Sequence, residues 1–209
     1  MMVQALTYLK ETASQTAGPY VHIGLAPGAA GFEIYRQELG REIAAPGVPG
    51  TRIRVEGVVI DATGAPIKDV LIEAWQADAN GIYPHADDPR AAQAAQGFRG
   101  FGRVITNFET GQWGFDTIKP GAVPGRSGSE MAPHINLWLV ARGINVGLNT
   151  RLYFSDEPDK NAKDPVLNLI EQVHRRQTLI ASRQMRDGMP VYRFDVRLQG
   201  ENETVFMDI

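Results

Sequence analysis

Residues 131–140 read MAPHINLWLV, and at their centre His134 and Asn136 stand two apart. On a strand, that spacing puts both side chains on one face. Two histidines so placed would clamp a metal ion, but an amide in the second place is a poor ligand for a transition metal. A single histidine on a strand is otherwise an ordinary hydrogen-bonded residue of the core or edge. The other three of the four histidines, His22, His85 and His174, lie outside strand patterns. His174 opens an HRR triplet after a helical stretch, which suits cations at a helix C-terminus. Tyr83 follows a strand-ending turn, where a phenol can reach a hard metal or simply pack its ring at a sheet edge. Arg142 ends an apolar strand just before a glycine. A guanidinium there can clamp a carboxylate through two hydrogen bonds, or lie solvated on the surface. No GxSxG, P-loop, dinucleotide fingerprint or HExxH occurs, and GLAPGAAG at 24–31 lacks the strand–helix context of a phosphate cradle.

The elements that position these groups are mostly strands. Residues 16–31, TAGPYVHIGLAPGAAG, are dense in glycine and proline, so the first fifty residues read as an irregular arm, with PGVPG at 46–50 as its hinge. From Thr51 the chain alternates. Ile53, Val55 and Val59 stand against Arg52, Arg54 and Glu56, the pattern of a half-buried strand. DATGAP (61–66) is a turn and DVLIEAWQA (69–77) a second strand. DANGIYP (78–84) is another turn, in which Asn80-Gly81 supplies the positive φ that a tight reversal needs. Further strands are expected at 102–108, 111–118, 134–142, 149–155, 191–200 and 203–209, with 119–129 a long loop. Asp164-Pro165 followed by VLNLIEQV predicts one helix, capped by the aspartate with proline in its first turn. The expected fold class is mainly β, a β-sandwich over 51–209 with an N-terminal loop arm over 1–50 and one helix near the C-terminus.

Composition narrows the function. A chain of 209 residues with 43% apolar content can bury an ordinary core. A net charge of -3 argues against nucleic acid as a partner. The absence of cysteine removes disulfides, thiolate metal sites and thiol nucleophiles, and fits a reducing compartment. No stretch approaches the length of a membrane span, and MMVQALTYLKETASQT has neither a basic head nor a long apolar run. A cytoplasmic location without membrane contact is the expectation.

Taken together, WQADANGIY, FDTIKPG, APHINLWLVARGIN, NAKDPVLNLIE and YRFDVRLQGENETVF resemble the intradiol ring-cleaving dioxygenases. The resemblance runs in order through nearly the whole chain. Within that family it is closer to the α chains, which pair with a β chain of the same fold, and ETASQTAGPYVHIGL is similar to their N-terminal segment. The family holds one non-haem Fe(III) with two tyrosinates and two histidines. The resemblance puts Tyr83 in the place of the first tyrosine and His134 in that of the first histidine. Val123 stands where the second tyrosine belongs, and Asn136 where the second histidine belongs. The implication is that this chain holds no metal and performs no redox step. Fe(III) would be held by the β chain, at a site shared across the α–β junction of a higher-order αβ oligomer.

The resemblance further implies that Gly18 and Pro19, with Thr16 and Tyr20 beside them, line that shared site, and that Arg142 binds the carboxylate of 3,4-dihydroxybenzoate, which is cleaved with O2. A Gly-Pro pair suits such a wall, being small and stiff. Two other readings stand beside this one. One is an independent homo-oligomeric intradiol dioxygenase. The other is a transthyretin-like or carbohydrate-binding β-sandwich without catalysis, which would account for 57–78 but not for TIKPG, ARGIN and the C-terminal run together.

Overall fold

The structure, a computed structural model, describes residues 16–18, 20–36, 38–125 and 128–208. Among them, eleven strands run in chain order: β1 Arg52–Ile60, β2 Leu71–Trp75, β3 Phe101–Ile105, β4 Gln112–Ile118, β5 Val123–Pro124, β6 Glu130–Met131, β7 His134–Val140, β8 Leu148–Phe154, β9 Ile180–Arg186, β10 Met189–Arg193 and β11 Val196–Arg197. Three short helices join them: α1 Tyr20–Leu25, α2 Pro158–Asn161 and α3 Val173–Arg176, the last running into a 3-10 turn at Gln177–Leu179. None of the described helices is long and apolar enough to cross a membrane.

The strands make two facing layers. One holds β4, β1, β10 and β9, with β11 continuing along the edge of β1; the other holds β8, β7, β2 and β3. A two-residue parallel register, Tyr153↔Ile180 and Phe154↔Ala181, links them into one hydrogen-bonded path. The core lies between the layers. Ile53, Val55 and Val59 of β1 and Phe115 of β4 pack with Ile72 of β2, Ile135, Leu137 and Leu139 of β7 and Leu152 of β8. The alternation in β1 is that expected from its sequence, with each inward residue buried and each intervening one half-buried. Ile43, Ala44 and Val48, which precede β1, join the same core.

Several expected elements take another form. The arm is not wholly irregular, since Tyr20–Leu25 is helical. Asp164 does cap, its Oδ1 accepting from the amides of Val166 (2.9 Å) and Leu167 (2.8 Å), but only one 3-10 turn, Leu167–Leu169, follows. Leu167 is drawn into a second apolar cluster with Tyr153 and Leu179, and Ile170 turns extended at ψ 103. The C-terminal helix therefore starts at Val173, about two turns later than expected. The run 191–200 is split at Phe194 and Asp195, and 203–209 makes only a bridge from Met207 to Asn149. β9 carries no apolar alternation and gave no signal, while β5 and β6 form a small ladder in and beside the expected loop.

The split has a visible cause. β1 is paired along one edge with β4, and its other edge takes β10 first and then β11. Between those two registers, Phe194 donates its amide to Glu56 O (2.8 Å), and Asp195 Oδ1 accepts from the amide of Val58 (3.0 Å). Gly57 sits at this crossing, and a Cβ there would collide with the carbonyl of Phe194. Gly57→Ala is therefore expected to destabilise the fold by roughly 2–3 kcal/mol. The measurement is the urea unfolding midpoint, and an unchanged midpoint would count against this account of the crossing.

Candidate functional site

A buried carboxylate sets the direction of Tyr83. Asp78, wholly inaccessible, accepts at Oδ1 from the amides of Asn80 (2.9 Å) and Ile82 (3.0 Å) and at Oδ2 from that of Ala95 (2.9 Å). Its carbonyl accepts from Gly81 (3.0 Å) and Gly121 (2.8 Å). Gly81 has φ 71, the positive value expected of Asn80-Gly81, and a side chain there would strike the carbonyl of Ala122. The turn is thereby pressed against the loop that carries Val123. Tyr83 leaves it with its ring stacked on Trp75, centroids 5.8 Å apart at 13°, and its hydroxyl 3.5 Å from His134 Nε2. His85 meets Trp75 edge-on from the outer side. A groove of about 560 Å³ opens beside them, lined in part by Trp75, Tyr83, His85 and Val123.

His134 is held from behind. Its Nδ1 lies 2.7 Å from the carbonyl of Ala132, so Nδ1 carries the proton and Nε2 presents a lone pair towards Tyr83. Ala132 in turn donates its amide to the buried Asp164 (2.8 Å), which also accepts from Tyr153 Oη (2.9 Å). Burial pulls the His134 imidazole down to about 4, with a smaller contribution from the Arg151 guanidinium. Burial likewise holds the Tyr83 phenol above its usual range, against a weaker opposing pull from Arg151. Both side chains are therefore neutral at pH 7.

The remaining two places offer little to a metal. Val123 is 2% exposed and purely aliphatic. Asn136 is set opposite Arg151 in the β7–β8 register, and its Oδ1 already accepts from Arg151 Nε at 2.8 Å. One imidazole nitrogen and one protonated phenol, beside a carboxamide bonded to a cation, do not fit a ferric ion, which needs anionic oxygen and several strong donors.

The other candidate residues gather elsewhere. Arg142 follows the far end of β7, so a whole strand, roughly 20 Å, separates it from His134. Its Nε donates to Asp69 Oδ2, and its side chain remains 68% exposed. Thr16 ties the arm to this point: its hydroxyl donates to Ala141 O (3.3 Å) and accepts from the amide of Gly143 (2.7 Å), one residue on either side of Arg142. Gly18 starts the turn into α1, with open space where a Cβ would lie, and Tyr20 is 80% exposed. Pro19 lies outside the described residues. The arm is fastened further along by Arg103, which donates to Leu25 O (3.0 Å), and by His22 packed edge-on to Phe108. The structure thus brings Thr16, Gly18 and Arg142 into one stretch of surface, and Tyr83, Val123, His134 and Asn136 into another. Sequence reasoning singled out neither Arg151 nor Asp69. Both pairings depend on cross-strand register, which no local pattern displays.

A two-layer sheet with a phenol and an imidazole converging at a strand end defines a class of β fold that can present metal ligands. The family model described as "Dioxygenase" matches residues 33–200. The protocatechuate 3,4-dioxygenase alpha chain of Pseudomonas putida is 54% identical over 200 residues, covering 96% of this chain and 97% of that one. The protocatechuate 3,4-dioxygenase beta chain of Burkholderia cepacia is 35% identical over 160 residues, covering 74% and 67%. Among solved structures, catechol 1,2-dioxygenase from Pseudomonas arvilla C-1 shares the fold, with a TM-score of 0.56 at 21% identity over 76% of this chain and 55% of that one. The chain belongs to the intradiol dioxygenase family, whose members depend on non-haem iron.

The neutral state of His134 has a thermodynamic consequence. An unfolded histidine binds a proton below about 6.5, whereas His134 resists until about 4. Between those values the unfolded state binds more protons, so stability falls as pH drops from 6.5 towards 4 and stays lowered below it. The loss is on the order of 3 kcal/mol. In His134→Gln that part of the pH dependence should vanish, as read from unfolding free energies between pH 4 and 7; an identical slope in both proteins would refute the assignment.

Proposed function

We propose that this chain is the alpha subunit of a protocatechuate 3,4-dioxygenase, and that it serves an active site whose iron is held by a β chain. The reading is supported by one geometric fact above all. The residues suited to binding an anionic aromatic substrate, Arg142 and the Gly18 wall, lie a full strand away from the chain's own Tyr83–His134 pair. They therefore complete a site on another polypeptide. The surface around them suits a partner. Tyr20, Ile34, Tyr35 and Leu39 of the arm are large, apolar and exposed, an arrangement that a chain acting alone rarely maintains.

The substrate on this reading is 3,4-dihydroxybenzoate, and the product is 3-carboxy-cis,cis-muconate. Fe(III) held by the partner would supply the Lewis-acid chemistry that activates the catechol towards O2. The parts played by this chain are binding and orientation. Arg142 offers a planar, permanently charged fork to the substrate carboxylate. Asp69 holds the guanidinium by one nitrogen, leaving the other two for the substrate. The Thr16 hydroxyl clasps the backbone on both sides of Arg142, so that arm and arginine move as one piece. Gly18 keeps the wall free of side-chain bulk, so that an aromatic ring can lie against the main chain.

Two measurements test this. Arg142→Ala in the αβ complex should raise KM for 3,4-dihydroxybenzoate by about 10- to 100-fold, the value of a charge-assisted hydrogen-bonded pair, with a smaller change in kcat. An unchanged KM would remove Arg142 from the site. Production of this chain with and without its β chain should give iron and substrate-dependent O2 uptake only in the complex. One iron per chain in the solo preparation would overturn the subunit reading.

A further inference from the structure

Arg151 lies on β8 opposite Asn136, to which its Nε is bonded, and its charge acts on both Tyr83 and His134. We propose that its guanidinium is a built-in cation at the Tyr83–His134 pocket and is itself the barrier to metal binding there, beyond the changes at Val123 and Asn136. The inference rests on the subunit reading above and adds a third position to it.

The contacts of the side chain carry the argument. Nε donates to Asn136 Oδ1 at 2.8 Å, and Nη1 lies 3.4 Å from Tyr153 Oη and 3.5 Å from Met131 Sδ. Among the described residues Arg151 forms no ion pair with a carboxylate. Asp164, the carboxylate behind the pocket, is already saturated by Tyr153 and by the amides of Ala132, Val166 and Leu167. The guanidinium's own contacts go only to neutral groups, so its charge has no directly bonded counter-ion; Asp164, on the far side of the Tyr153 hydroxyl, opposes it only from a distance. The charge is felt at both Tyr83 and His134, whose ionisation it shifts downwards. An arginine cannot shed its proton to make room for a second cation, as a lysine can. It also uses up the amide oxygen that would otherwise be a third donor.

New ligands alone would not reopen such a site. Val123→Tyr and Asn136→His together would supply a phenol and an imidazole, but would leave the guanidinium beside them and deprive its Nε of an acceptor. The charge has to go as well.

The test uses the full-length chain as wild type, as V123Y/N136H, as V123Y/N136H/R151Q and as V123Y/N136H/R151K. Each is loaded with ferrous ammonium sulfate in air and desalted. Iron per chain is measured by elemental analysis, together with the visible absorbance of tyrosinate–iron charge transfer. The R151Q triple variant should hold at least tenfold more iron than the double variant and turn red-brown, while the R151K variant, whose ammonium can shed its proton, should hold more iron than the double and less than the R151Q variant. Equal iron in the double and R151Q variants, none included, overturns the proposal. If the R151Q variant fails to melt cooperatively, R151M, which keeps the length of the stem, takes its place under the same criterion. Iron on the wild-type chain would instead overturn the subunit reading, so the two failures are told apart.

Discussion

The antiparallel register of β7 on β8 is the constraint on which both functional regions depend. It sets His134 against Tyr153 and Asn136 against Arg151. Because side chains alternate on a strand, a slip of one residue would turn His134 into the core and Asn136 away from Arg151. The same strand fixes the second region by its length, since it ends where Arg142 begins its loop. One strand therefore carries the Tyr83–His134 pocket at its start and leads to the exposed Arg142 at its finish, and its rigidity keeps them apart.

The pocket remains well built although its donor set is poor. Two buried aspartates explain why. Asp78 organises the turn before Tyr83, and Asp164 organises the approach to His134. Neither carboxylate faces the space between the two side chains. Each satisfies backbone amides that would otherwise be buried without partners, and such amides are costly to leave unpaired. A valine at 123 and a carboxamide at 136 therefore limit the chemistry of the pocket without removing the reason for the surrounding structure to fold.

Much of this was legible from residue types in order. The alternation of β1, the reversal at Asn80-Gly81 and the capping role of Asp164 each follow from a local rule, and each is found in the structure. The resemblance of the chain to one family assigned Tyr83 and His134 to one pocket, where they do meet. What could not be read is what depends on pairing between distant segments. β9 is polar along its length and is a strand only because β10 and the end of β8 lie beside it. The break at Phe194 answers to Gly57, more than a hundred positions earlier in the chain, and Arg151 has a role only through the strand opposite. The helix expected from Asp164 gave way because Leu167 had a better place in the apolar cluster than along a helical face.

The parallel pairing of β1 with β10 bears on how the polypeptide is born. The first long strand acquires its β4 neighbour early, but the register Arg54↔Val191 to Glu56↔Arg193 cannot form until the chain is nearly finished. At ordinary rates of translation the gap is on the order of ten seconds. Throughout that time an incomplete sheet with an unpaired edge hangs from the ribosome, open to any extended segment that comes within reach. Chaperone shielding, or early capture by a subunit still being made nearby, is a need written into this topology.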